Sequence, residues 1–171
     1  QNIVCTGNQI CLTNSSTGGD AASSTSCSTP KLIWTISPNT GFTLASGTLG
    51  NDFGNTNTNA WTSGSNSICP IFNATGTYTI TLKIGNRCGI DEITKTICVQ
   101  STLTPQFTLN TTAGCAPLTV NATNSTNLAN QCSTPTYLWE VTYSPAFCGT
   151  SITPIPNQTT ANATFNFKNQ Y

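Results

Sequence analysis

The chain repeats itself, and that constrains its fold more than any other feature. Cys27-Ser28-Thr29-Pro30 is followed by Leu32-Ile33-Trp34-Thr35-Ile36, and Cys132-Ser133-Thr134-Pro135 by Tyr137-Leu138-Trp139-Glu140-Val141, at an offset of 105. Upstream, Cys5 to Ser15 matches Cys115 to Ser125 at an offset of 110, so the first copy has a loop five residues longer. Two blocks recurring in the same order mark two copies of one module. The boundary falls in the polar, Pro-terminated stretch from Gln100 to Pro105, giving modules at 1–100 and 101–171.

Each copy reads as β. Ile10 and Leu12 alternate with Cys11 and Thr13, and Val120 and Ala122 with Asn121 and Thr123. Such period-two alternation is that of a strand with one buried face. Leu32 to Ile36 is a second strand. Thr77 to Ile84 is the clearest, with Tyr78, Ile80, Leu82 and Ile84 inward and Thr and Lys outward. Gly85 to Gly89 is a turn. In the last strand, Ile90 to Val99, the residues Ile93, Lys95, Ile97 and Val99 share one face. No stretch has a helical period. Short strands between Gly, Asn and Pro turns, in a module of about 100 residues, predict an antiparallel sandwich.

Charge and cysteine content set the compartment and exclude several functions. Five basic and five acidic residues make up only 6% of 171, and the formal net charge is zero. Five scattered cations cannot form the basic stripe that a nucleic-acid partner needs. No run approaches the roughly 20 apolar residues of a membrane span. There are nine cysteines and no histidine. The closest cysteines, Cys5 and Cys11, are too far apart for a C-x-x-C zinc pair. Disulfides are the better reading, and they place the protein outside the cytosol. With no signal peptide and no initiator Met, the chain reads as mature or excerpted.

Gly76-Thr77-Tyr78-Thr79-Ile80-Thr81-Leu82, then Asn86-x-Cys88-Gly89 and a closing strand, resembles the PKD family of immunoglobulin-like domains. So do Gly114 to Val120, Asn124-Ser125-Thr126 and the aromatic-Leu-Trp at Tyr137 to Trp139. The resemblance departs after the tryptophan. A Trp-Asp-Phe-Gly-Asp core is usual there, whereas this chain has Thr35-Ile36-Ser37 and Glu140-Val141-Thr142. It implies tandem immunoglobulin-like β-sandwiches with Trp34, Tyr78 and Trp139 in their cores. The Cys-rich, Asn/Thr-rich style is similar to repeats of very large Bacteroidetes surface proteins, including gliding-motility adhesins exported by the type IX system. Spacing from Trp34 to Tyr78 places the second copy's corner tyrosine past Tyr171, so that copy lacks its last two strands. It is then either an excerpt of a longer array or a module completed by a strand from another chain.

Sandwich topology narrows the cysteine pairing. Cys27 opens the third strand and Cys88 lies in the turn at the same end, so these two should meet. Cys11 and Cys69 sit on neighbouring strands, and both are absent from the second copy, which has Asn121 and Thr164 instead. Cys5 and Cys98 remain. In the second copy Cys115 pairs with Cys148, and Cys132 awaits a partner past the chain end.

Catalytic chemistry is thinly provided for. Without histidine, a Ser or Cys nucleophile has no ordinary base, and five dispersed acids give no facing pair. The expectation is a protein that is not an enzyme and needs no cofactor. Calcium is the one ion with any oxygen ligands in view, in Gly50 to Asn57, but that loop holds a single carboxylate, Asp52. Trp61, in the polar segment 46–67, either stacks on a sugar or covers the edge of the sandwich. The asparagine triplets fit the composition and are not read as glycan sites. Three functions follow: a spacer in an extracellular surface adhesin, touching neighbouring repeats and other cell-surface proteins; a polysaccharide-binding module using Trp61; or a filament subunit completed by a donor strand.

Overall fold

The computed structural model describes residues 2–17, 30–86, 89–142 and 154–168. It is all-β, with several antiparallel sheets, and no α-helix occurs among the described residues. The strands are β1 (Asn2–Cys5), β2 (Leu12–Thr13), β3 (Lys31–Ser37), β4 (Phe42–Ser46), β5 (Ser67–Phe72), β6 (Gly76–Asn86), β7 (Gly89–Gln100), β8 (Phe107–Leu109), β9 (Leu118–Asn124) and β10 (Ala163–Phe167). Two compact units result: Gln1–Thr102 with Asn130–Cys132, and Leu103–Ala129 with Ser133–Tyr171. The first thus extends past residue 100 and takes in a short stretch of the second copy's sequence.

In the first unit, one sheet runs β1-β7-β6-β3 and the other β2-β5-β4. β6 alternates β-branched and aromatic residues with threonines, a pattern suited to a pleated surface covered on one face. Tyr78, Ile80 and Leu82 of β6 are buried, as are Trp34 and Ile36 of β3 opposite. They share one core with Ile68 and Phe72 of β5 and with Ile97 and Val99 of β7. Two sheets enclosing a common core are consistent with a β-sandwich. The Tyr78 hydroxyl donates toward the carbonyls of Gly41 and Ala74, both at 3.2 Å. Gly41 has φ 79°, and a Cβ there would collide with that hydroxyl, so two separate requirements select glycine.

Two strand expectations change. Of Ile10 to Thr13, only Leu12–Thr13 forms strand, pairing with Ile68 and Ser67. Ile93, expected inward, is 56% exposed, whereas Ile97 and Val99 are buried. β2 is too short to cover the earlier part of β7.

Among the described residues, the second unit contains one three-stranded sheet, β10-β9-β8. Val120, Ala122, Ala163 and Phe165 are buried, with Trp139, Val141 and Ile155 packed against the cluster. Trp139, expected in the core, is only half-buried. Its segment makes a single bridge, to Gln158, in place of a strand. Its ring meets Phe107 edge-on at 5.3 Å, and Phe107 is itself 56% exposed. With no second sheet among the described residues to close over it, the tryptophan has a cover on one side only.

Candidate functional site

Of the two roles open to Trp61, stacking on a sugar or covering the sandwich, the segment's fold suits the second, because it buries the ring. Side-chain oxygens of Asn51, Asp52, Asn55 and Asn57 each accept the backbone N–H two residues on. These are the local bonds by which Asn and Asp make turns. Asn51 and Thr62 exchange backbone hydrogen bonds of 2.8 and 2.9 Å, closing the loop. Lys31 Nζ donates to the carbonyls of Asn59 (3.0 Å) and Trp61 (2.6 Å). The loop therefore folds down over β6, where Gly85 leaves room. A Cβ at Gly85 would lie 2.6 Å from Thr58 and 3.0 Å from the Trp61 ring. Trp61 is 3% exposed, and its indole N–H donates to the Asn55 carbonyl at 2.6 Å. The sugar-stacking role is thus corrected: the ring seals the loop against the sheet and has no free face. The signal in the sequence was Gly85, a side-chain-free position at the end of a strand otherwise rich in β-formers.

Asp52, the carboxylate considered for calcium, carries an ion pair with Lys83 at 2.7 Å. The Lys83 hydrogen bond, followed by the Gly54 N–H, holds its carboxyl below the usual carboxylate value. Lys83 also lies 6.0 Å from the centre of the Trp61 ring. The loop's oxygens are thus engaged by its own N–H groups and by two lysines, Lys31 and Lys83.

A groove of about 720 Å³ opens in the first unit between β6–β7 and residues 12–17. Trp34, Leu82 and Ile97 form its buried floor, and Asp91, Glu92 and Lys95 its exposed rim. Among the described residues, no strand beyond the short β2 covers this part of the sandwich interior.

The sulfurs are arranged differently from the expectation in several respects. Cys11 and Cys69 are bonded across β2 and β5, with Cα atoms 4.1 Å apart. This follows from the antiparallel register, since Leu12 pairs with Ile68 and so Cys11, one residue before, lies opposite Cys69, one residue after. Cys98 bonds Cys132, at a Cα separation of 5.9 Å, and Cys5 is a free thiol. That corrects both the Cys5–Cys98 pairing and the assignment of Cys132 to a partner past the chain end. The reason is again register. Cys5 pairs with Gln100, and Cys98 with Ile3. Two residues of rise and one strand spacing put Cys5 and Cys98 Cα atoms about 8 Å apart, too far to bridge without backbone movement. Cys115 is an exposed free thiol, which corrects the Cys115–Cys148 pairing. Cys27, Cys88 and Cys148 lie outside the described residues.

The remaining feature is the closure of the first unit. β1 pairs with β7 in parallel, Asn2 to Cys5 against Ile97 to Gln100, and Thr6 N–H extends the ladder to the Gln100 carbonyl at 2.9 Å. Val4 packs on the core opposite the buried Val99. The strand that opens the unit is therefore bonded to the strand that ends it, and both run the same way. No helix among the described residues is long and apolar enough to cross a membrane. No protein-family model matches the chain, and no curated protein matches it.

Proposed function

We propose that this chain is a load-bearing spacer segment of an extracellular fibre, built from immunoglobulin-like repeats of the PKD kind and belonging to a cell-surface adhesin. The observation that carries the reading is the parallel β1–β7 pair. Tension enters the first unit at the start of β1 and leaves near the end of β7, at Cys98, through its bond to Cys132. Pulling on those two points slides the strands past each other along their common axis. The hydrogen bonds between them are then loaded together, in shear, and must fail together. An antiparallel closure loaded at adjacent ends would open one bond at a time. Two disulfides among the described residues support an oxidising compartment, as on a cell surface. The sequence resemblance supports the adhesin assignment and a role in surface attachment or gliding.

Val4→Pro tests the reading. The parallel ladder, continued back two residues from Thr6, puts the Val4 N–H on the bonding edge, and proline removes that donor. Equilibrium stability should fall by only about 1–2 kcal/mol for one lost hydrogen bond and its strain. The unfolding force, measured by single-molecule stretching between handles at Asn2 and Thr102, should fall by a far larger proportion. A force unchanged by Val4→Pro would remove the basis of the proposal.

A further inference from the structure

The register that keeps Cys5 from Cys98 brings three sulfurs onto one patch. Val4 and Val99 face the core as a pair, so the residues on either side, Ile3 with Cys98 and Cys5 with Gln100, share the outer face. Cys132 lies over the same place. It is bonded to Cys98, and its backbone N–H donates to the Gln100 side-chain carbonyl at 3.0 Å. Gln131 holds the approach, donating to the Ser101 carbonyl at 3.1 Å. Gln100 therefore has Cys5 beside it on the neighbouring strand and Cys132 above it at the end of its side chain. Cys5 and Cys98 are held in strands, whereas Cys132 sits in a segment without strand structure. Of the three, Cys132 is the one placed to change partner without disturbing the sheet.

We propose that Cys5, Cys98 and Cys132 form an exchange set in which Cys132 is passed between the two strand thiols. Cys5 loses its proton to solvent, and its thiolate attacks Cys132 Sγ. The Cys98–Cys132 bond breaks, Cys5–Cys132 forms, and Cys98 leaves as a thiolate that takes up a proton. One disulfide and one thiol stand on each side, so no oxidant or reductant is consumed. The exchange stands on the register alone. Its consequence for tension rests on the load-bearing reading. With Cys98–Cys132 in place, pulling on the two chain ends passes through β1 and β7 and bypasses residues 99–131. With Cys5–Cys132 in place, it bypasses residues 6–131, and the first unit leaves the tensile path. The exchange would thus be a covalent switch between a loaded and an unloaded module.

The test is peptide mapping in a Cys115→Ser background, so that this exposed thiol cannot intervene. The folded chain is held anaerobically in mildly alkaline buffer, alkylated, quenched in acid and digested with pepsin, which works where exchange stops. The Cys5–Cys132 peptide should rise from below detection as the Cys98–Cys132 peptide falls by the same amount, with Cys98 alkylated in step. Adding Cys5→Ser should abolish the rise. Cys98→Ser, reoxidised, should give Cys5–Cys132 as its bond at this patch. Only Cys98–Cys132 in the first experiment, or alkylated Cys5 and Cys132 in the reoxidised variant, would overturn the proposal. Mapping decides this whatever Val4→Pro does to the unfolding force, so the two readings can fail separately.

Discussion

In the first unit Cys11 lies opposite Cys69 and is bonded to it. At the equivalent place in the second, Asn121 lies opposite Thr164, and the threonine hydroxyl donates to the asparagine carbonyl at 2.9 Å. Both pairs link neighbouring antiparallel strands on the face away from the core. One link is covalent and the other is a hydrogen bond. The tryptophans differ in the same sense. Trp34 is 6% exposed between two sheets, and its indole N–H donates to the Ser65 carbonyl. Trp139 is half-buried against one sheet. The difference shows that the repeated sequence specifies strands and cross-strand pairs locally. A closed core requires the second sheet, which β6 and β7 supply in the first unit.

The tryptophans give the largest test of that contrast. Trp34→Ala should cost about 3–5 kcal/mol, as for a fully enclosed aromatic. Trp139→Ala should cost roughly 1–2 kcal/mol, because part of its surface is already in water. Urea titrations of the two variants, each followed by far-ultraviolet circular dichroism, which reads the sheets of both units, would measure both. Equal costs would mean that the second unit is as closed as the first.

Exchanging the cross-strand pairs comes next. Cys11→Asn with Cys69→Thr writes the second unit's pair into the first and removes a closed loop with a sequence separation of 58. The loss should be about 2–4 kcal/mol, chiefly through a freer unfolded chain. Asn121→Cys with Thr164→Cys should do the reverse, raising the second unit's denaturation midpoint under oxidising conditions and leaving it unchanged under reducing ones. A midpoint insensitive to reductant would show that the two positions are not equivalent.

The strands themselves were legible in the sequence because their signal is local. The alternation of Tyr78, Ile80 and Leu82 states which face is buried, and the structure buries that face. The pairing of Asn121 with Thr164 was legible through the repeat, since both cysteines are missing there together. What could not be read depends on register and on contacts between distant segments. Cys98 fails to meet Cys5 because of a two-residue offset between β1 and β7, which no strand pattern encodes. Trp61 is buried because a loop folds back onto Gly85, and a polar composition alone gives no sign of that. Ile93 keeps the inward period but is exposed, because its cover depends on where β2 stops.

The smallest expected effect concerns the Lys83–Asp52 ion pair, which ties the loop to β6 in the first unit and has no counterpart among the described residues of the second. The Asp52 carboxyl is held below its ordinary value of 3.8, so folding favours its charged form. The stability it contributes is fully present above that ordinary value. It is lost as the pH falls through the lower, folded-state value. The melting difference between the natural chain and Asp52→Asn should be constant near neutrality and shrink toward zero in strong acid. A difference independent of pH would mean that the charge contributes nothing.

The central claim, that a parallel strand pair makes the first unit a load-bearing module, is tested most directly by changing the direction of pull on the same molecule. Handles at Asn2 and Thr102 load β1 and β7 in shear. Handles at Asn2 and Lys95 pull the strands apart from one end. At equal loading rate the first geometry should resist several-fold more force than the second, whereas equal forces in the two geometries would contradict the account.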